Sequence, residues 1–440
     1  MVPEGAVHST GPSIRTMHSK SQPAADAAFP MTARTRTLQW LAALALVCLP
    51  ALVVNTPWNL LPFGLLLLAT SVLGIDRLWQ ARAVGQPALG TVAGLAALVM
   101  LSAIASMGWF GQDLREFDNH SRFVVIPWAM LWTCALRPRA SALWVGALLG
   151  LFGALLVAVV QVAGGAWRAE AWTNAIVLAD IVLMLMVLLV FCRPHGQWRW
   201  VATGLVAGCV VIVLTGSRGV WLGLLALLVA IGLGSRWRDG RTRLLTLTGL
   251  MAMAATLVLM VPGLSERLRL DELRQDVERL ERGDTNSSAG ARVERLWVAW
   301  DTFREHPLTG VGIDRFDEAM KRLPECAVQQ QSAPRCHLSH AHNDLAEWAA
   351  TRGVPGVLLL LAIYGVPLLL FARLHRRSRH GKFRGPAAAG IMVVVGYALC
   401  GLTQSMFAHQ ITASFYVAIV GVLMGLAVMR ARAVAAQPRG

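Results

Sequence analysis

What most constrains this chain is a series of apolar runs, each about the length of a membrane-crossing helix, that recurs from residue 37 to residue 429. A helix crosses the hydrocarbon layer in about 20 residues. That length predicts spans near 37–54, 58–75, 88–110, 123–136, 141–163, 173–192, 200–215, 219–234, 244–263, 354–372, 387–408 and 414–429. Barrel strands would need segments of about ten residues alternating polar and apolar side chains, and these runs do not alternate. With 55% hydrophobic residues and a mean hydropathy of +0.54, the chain reads as an all-α integral membrane protein with about 12 transmembrane helices.

A formal net charge of +15 would suit nucleic acid if the basic residues gathered on one domain with stacking aromatics between them. Instead they alternate by connection. Arg77 and Arg82, Arg137 and Arg139, Arg193 and Arg199, SRWRDGRTR at 235–243, RLHRRSRHGKFR at 373–384 and the final RAR fall in every second one. The positive-inside rule places these in the cytoplasm, and no nucleic acid is expected. The connections at 55–57, 111–122, 164–172, 215–219 and 408–412 then face outward, as does the long hydrophilic segment 264–352. Residues 1–36, which lack the apolar core of a cleavable signal, are expected to form a disordered cytoplasmic tail. Residues 37–263 are expected to hold nine spans, 264–352 a periplasmic loop, 354–429 three more spans and 430–440 a cytoplasmic tail.

Cys326 and Cys336 lie in the long loop, in PECAVQQQSAPRC. An oxidising compartment would join them; two free surface thiols are the other reading. The remaining cysteines fall in or at the ends of spans, where a thiol packs as a small apolar group. Leu264, Leu268, Leu273, Val277 and Leu280 are spaced for an amphipathic helix on the membrane surface or against the bundle. TNSSAG at 285–290 breaks that pattern, and RVERLWVAWDTFREH resumes a helix that PLTGVG at 307–312 ends.

The stretch SHAHNDLAEWAATRGVPG, 339–356, gathers two histidines, two carboxylates and an arginine ahead of an apolar run. Ser339 is the expected N-cap of a short helix from His340 to Thr351, with Gly353 as its stop and Pro355 opening the next span. His342 would then sit at a helix N-terminus, where the dipole favours the neutral imidazole that a general base needs. A solvated histidine at a helix end is the bland alternative. Arg218, in TGSRG between two spans, could converge with the backbone N–H groups beside Gly216 and Gly219 on an anion, or snorkel to the headgroups. Arg122 and Arg292 would enlarge such a site, or are solvated surface arginines. No outer DxD pair, HExxH or CxxC occurs, and His340 and His342 point to different sides of a helix, so no metal is expected. A basic pocket with one histidine at membrane level suits a substrate with a lipid tail and a phosphate group.

These residues resemble the O-antigen ligase and O-antigen polymerase superfamily. Its signature of His, Asn, nine residues and GxxG is met by His342, Asn343, Gly353 and Gly356. GSRGVW at 216–221 is similar to the family's G-[ST]-R segment, and ARVERLWVAWDTFREHPLTGVG at 291–312 to its pattern of an Arg, an aromatic and PxxGxG. Val357 and Leu358 stand where ligases often carry threonines, and the aromatic after Arg292 is shifted to Trp297. The resemblance covers most of the chain beyond its N-terminal tail.

What the resemblance implies is a metal-independent, inverting glycosyltransferase of the GT-C type that uses no cofactor. It would transfer a glycan from undecaprenyl pyrophosphate to a hydroxyl of lipid A–core, at the periplasmic face of the bacterial inner membrane. The implied base is His342; Arg218 and Arg292, with Arg122 assisting, bind the donor, and Asn343 or Asp344 orients the base or the acceptor. Gly353, Gly356, Cys326 and Cys336 would be structural. A related polymerase or protein O-oligosaccharyltransferase shares the motifs, but the short tail after the last span favours a lipid acceptor over a protein one. A transporter of anionic lipids is the alternative from another class; against it, no clear internal repeat is visible and Asp180 is the only acid well inside a span.

Overall fold

The computed structural model describes residues 33–234, 287–327, 340–378 and 384–436, with Cys336 and a few positions between 275 and 282. Its main helices are α1 (Ala33–Leu52), α2 (Leu61–Leu73), α3 (Ile75–Gly85), α4 (Ala88–Phe110), α5 (Val125–Leu136), α6 (Ala140–Ala163) and α7 (Ala175–Phe191). There follow α8 (Trp198–Thr215), α9 (Trp221–Gly234), α10 (Ser288–Glu305), α11 (Asp344–Arg377), α12 (Pro386–Cys400) and α13 (Gln410–Ala435). Among the described residues no strand occurs. Six helices, α1, α4, α6, α8, α11 and α13, are long and apolar enough to cross a membrane, while α7, α9 and α12 are shorter apolar helices. The expected span near 244–263 and most of the amphipathic segment 264–282 lie outside the described residues.

Helices that are apolar on every side belong in the middle of a bundle, and α7 and α13 are buried around nearly their whole circumference. Between lipid-facing helices there is little hydrophobic drive, so close packing must hold them. Gly421 and Gly425 show how α13 achieves this. A β-carbon at either would come within 2.5 Å of the Ile126 carbonyl oxygen or 2.7 Å of that of Met130, on α5. Leu65, Leu68, Leu98, Leu101 and Val160 point outward on α2, α4 and α6, where lipid would cover them.

Two expected spans form shorter helices than their runs, for visible reasons. The run near 58–75 breaks at Gly74, and α3 turns from α2 by 97°. Asp76 accepts from Arg34 at 3.1 Å and Arg77 donates to Thr35 at 2.6 Å, which ties the polar start of α3 to the start of α1. The run near 387–408 stops as a helix at Cys400. The Gly401 carbonyl is taken by the Asp344 N–H at 2.7 Å, and Thr403, Gln404 and Ser405 follow as turns, so 401–409 forms an irregular connection to α13.

The connections sort to two ends. At one, Arg432 donates to the Ala83 carbonyl at 3.1 Å, Gly385 N–H to that of Phe191 at 3.0 Å, and Arg384 to that of Arg193. At the other, Gln112 donates to the Ile313 carbonyl at 2.7 Å, Asn119 to that of Ala408 at 3.3 Å and Asn343 to that of Leu402 at 3.0 Å. This second end carries α10, the short helix Phe316–Met320 and the disulfide between Cys326 and Cys336, whose Cα atoms are 5.3 Å apart.

Candidate functional site

His342 lies at the second end, just before α11. The helix starts later than the sequence suggests. Asn343, not Ser339, is its N-cap, and the Asn343 side-chain carbonyl accepts from the Ala346 N–H at 2.9 Å. His342 itself has φ 52°, a left-handed conformation that costs a non-glycine residue energy and needs a surround that holds it. The surround is built from three directions. Buried Glu347 reaches back to accept from the Ala341 N–H at 2.6 Å, while Asn343 donates to Leu402 and the Asp344 N–H to Gly401. Asp344 is buried and accepts from the Tyr364 hydroxyl at 2.6 Å, so its carboxylate faces the bundle.

The imidazole meets the 401–409 connection. His342 Nδ1 lies 2.6 Å from Gln404 Oε1, and Gln404 Nε2 lies 3.0 Å from His409 Nε2. The His409 ring stands edge-on to that of His340 at 5.2 Å between centroids. Burial pushes the His342 pKa down to about 4, against the Gln404 hydrogen bond, and the positive charges of Arg295 and Arg292 push the same way. Desolvation, rather than the helix dipole expected from the sequence, is thus the main reason that this ring is neutral. His409 is pushed down to about 4 by burial and by His340.

Two sequence motifs far apart in the chain form one backbone unit beside this histidine. α11 is interrupted at Gly353, with φ 64° and ψ −152°. In an unbroken helix the Ala350 carbonyl would accept from Val354 and that of Thr351 from residue 355, which is a proline without an N–H. Here Val354 N–H donates to the Pro307 carbonyl at 2.7 Å, Val311 N–H to Ala350 at 3.1 Å and Gly312 N–H to Thr351 at 3.0 Å. The 307–312 turn therefore satisfies both of these carbonyls. Gly310 makes the approach possible: a β-carbon there would lie 2.2 Å from the Thr351 carbonyl carbon.

The same turn fixes the end of α10, which carries Arg292 and Arg295 one helical turn apart. Arg295 is 3% exposed, and its Nε and Nη2 have no hydrogen-bond partner. Its pKa is lowered by burial and by the neighbouring Arg292 charge. Arg218 sits in the turn between α8 and α9 and pairs with Asp276 at 3.8 Å. That turn is braced by Arg168, which donates to the Thr215 carbonyl at 2.6 Å and to Ser217 Oγ at 3.1 Å. Gly219 packs on Thr403, where a β-carbon would lie 2.4 Å from Oγ1. The 401–409 connection thus touches both the Arg218 turn and His342. Arg122 is engaged elsewhere, by Asp118 and by Ser414.

Below the histidine lies a second buried polar group that sequence reasoning missed. Arg352 contacts His120 Nε2 and stacks 3.9 Å from the Trp348 ring centroid, in a cavity also lined by Asp314 and Glu347. His120 Nδ1 donates to the Glu116 carbonyl at 3.0 Å, leaving Nε2 to accept from the guanidinium. Burial and the Arg352 charge hold His120 well below its ordinary pKa, and burial raises Asp314 to about 6. Gln404, His409 and Arg295 also went unremarked in the sequence; the polar island TQS within an apolar run was the available sign for the first. Among the described residues no group of three or more His, Cys, Asp or Glu could hold a metal ion.

A neutral histidine, a cluster of arginines and a membrane-embedded bundle can together deprotonate a hydroxyl beside a bound anion. A protein of Haemophilus influenzae described as uncharacterized is 24% identical over 312 residues, 69% of this chain and 77% of that protein. The family model described as O-antigen ligase matches residues 203–361, from within α8 through Arg218, α10 and His342 into α11, so this part of the chain is similar to that family.

Proposed function

We propose that this protein is an O-antigen ligase, a GT-C-like glycosyltransferase of twelve membrane-spanning helices. It moves a glycan from undecaprenyl pyrophosphate to a hydroxyl of lipid A–core at the periplasmic face of the bacterial inner membrane. One observation carries the reading: a neutral His342, held at Nδ1 by Gln404, lies within the fields of Arg292 and Arg295. The acceptor hydroxyl has a high pKa and needs a base as it attacks. His342 Nε2 takes the hydroxyl proton while the oxygen bonds to the anomeric carbon on the face opposite the leaving group. The bond from that carbon to the pyrophosphate oxygen breaks, and pyrophosphate leaves with the electron pair. A single displacement of this kind inverts the anomeric centre.

Undecaprenyl pyrophosphate departs easily only if its growing charge is neutralised. Arg292 and Arg295 take that role with Arg218, supplying fixed positive charge and bidentate donors where other enzymes use a metal. Arg122, held by Asp118 and Ser414, is left out of this role. Asn343 and Asp344 act on the substrates through the backbone they tie down on either side of the base.

The test is to incubate the purified protein with undecaprenyl-pyrophosphate-linked glycan in EDTA, with and without lipid A–core. Glycan appearing on lipid A–core, only when it is added, is the expected result. Longer chains left on undecaprenyl pyrophosphate would make the protein a polymerase instead, and no transfer at all would reopen the protein-acceptor and transporter readings.

A further inference from the structure

We propose that Gln404 is the positioning residue that fixes the tautomer of His342, taking the place that a carboxylate holds in Ser-His-Asp sites; this rests on the reading of His342 as base. Gln404 is 1% exposed, so water does not compete for its amide. Its Oε1 can only accept, and it lies 2.6 Å from His342 Nδ1. In a neutral imidazole the proton must then sit on Nδ1, which leaves the lone pair on Nε2. At its other end the amide Nε2 lies 3.0 Å from His409 Nε2, a contact that holds this orientation when the ring nitrogen accepts. The proposal requires His409 to accept there, as a neutral ring with its own proton on Nδ1. Turned the other way, the amide would donate to His342 Nδ1 and drive the proton onto Nε2, removing the base.

An amide suits this site for an electrostatic reason. A carboxylate would orient the ring equally well, but it would also stabilise the imidazolium and cancel the field of Arg292 and Arg295. Both effects would work against a base that must be neutral beside a doubly charged pyrophosphate. Gln404 sets the tautomer without adding charge. The charged and titratable groups acting on His342 are then Arg292 and Arg295 from α10 and His409 from the connection before α13.

The experiment uses the full-length protein and two variants, Gln404→Glu and Gln404→Leu. For Gln404→Glu the acid limb of the kcat/KM–pH profile is expected to move up by at least about one pH unit, with a raised KM for the pyrophosphate donor. For Gln404→Leu, kcat is expected to fall on the order of 10- to 100-fold with donor KM nearly unchanged. An unmoved acid limb in Gln404→Glu, or normal kcat in Gln404→Leu, would overturn the proposal.

A second measurement needs neither variant to fold. Nitrogen-15 NMR of imidazole-labelled wild-type protein, with His342→Gln used to assign the signal, should show His342 as the Nδ1–H tautomer. Finding the Nε2–H tautomer would sink the proposal even if the protein is an active ligase. Conversely, wild-type protein that transfers glycan to no acceptor would defeat the functional reading while the tautomer result stood on its own.

Discussion

Gly353 lies flat against Pro307: a β-carbon added to the glycine would come within 2.3 Å of the proline carbonyl oxygen. That oxygen accepts the Val354 N–H at 2.7 Å, the first contact of the zipper that joins 307–312 to 350–354. The PxxGxG and GxxG patterns are therefore two halves of one joint. It holds α10, with its arginines, against the helix that begins two residues after His342, at Asp344, with Asn343 as its cap.

Gly353→Ala should break this joint. The residue has φ 64° and ψ −152°, a region that costs a side-chain-bearing residue about 1–3 kcal/mol, and the contact with Pro307 adds to it. A fall in thermal stability and a loss of glycan transfer are both expected in detergent-solubilised protein. An unchanged melting temperature would mean that the backbone relaxes freely and that the joint is not under tight control.

His342→Ala should lower transfer on the order of 10²- to 10⁴-fold, the usual contribution of a general base, while leaving the protein folded and inserted. In the wild type the acid limb of the rate profile should fall near pH 4, where His342 takes up its proton. An acid limb near 6.5 would instead mark a solvated histidine. Stability has a matching sign. Unfolded chain binds protons at His342 and His409 near 6.5, but the folded protein does so only near 4. Stability from these groups is complete above about 6.5 and is lost as the pH falls from there toward 4. Denaturation midpoints at several pH values would check it.

The helices were readable from the sequence because each needs only local information, an uninterrupted apolar run of sufficient length. α4 and α6 match expected runs closely, and Ser287, from the predicted break, caps α10 by accepting from Gly290 N–H at 3.0 Å. The candidate residues His342, Arg218 and Arg292 stand out because polar groups at the edge of apolar runs need a reason. Gln404 was hidden inside an apolar run whose helix ends early, since the partner that caps the Gly401 carbonyl is Asp344, far away in sequence. The same holds for His120 and Arg352, which meet across 232 positions. Periodicity carries no record of such contacts.

Arg218→Lys keeps the charge and removes the planar fork. The Asp276 pair, at 3.8 Å, is long enough for a lysine to satisfy, so the turn should keep its fold. If Arg218 grips pyrophosphate with two parallel hydrogen bonds, transfer should still drop by at least about tenfold, with most of the effect on donor KM. Near-normal kinetics would reduce Arg218 to an anchor for the turn between α8 and α9.

Arg295→Met separates stability from function most sharply. A guanidinium that is 3% exposed, with Nε and Nη2 unpartnered, destabilises the protein that carries it. Methionine fills a similar volume without the charge, so the variant should be as stable as the wild type or more stable by about 1 kcal/mol or more. Without Arg295 the pyrophosphate loses a desolvated partner, so donor KM should rise. The His342 acid limb should also move upward, because a positive charge that opposes protonation of the imidazole is gone. A variant that is less stable and binds donor normally would mean that Arg295 packs as a structural element of α10. A more stable protein with weakened donor binding would fit a site that tolerates a buried charge because its substrate supplies the counter-charge.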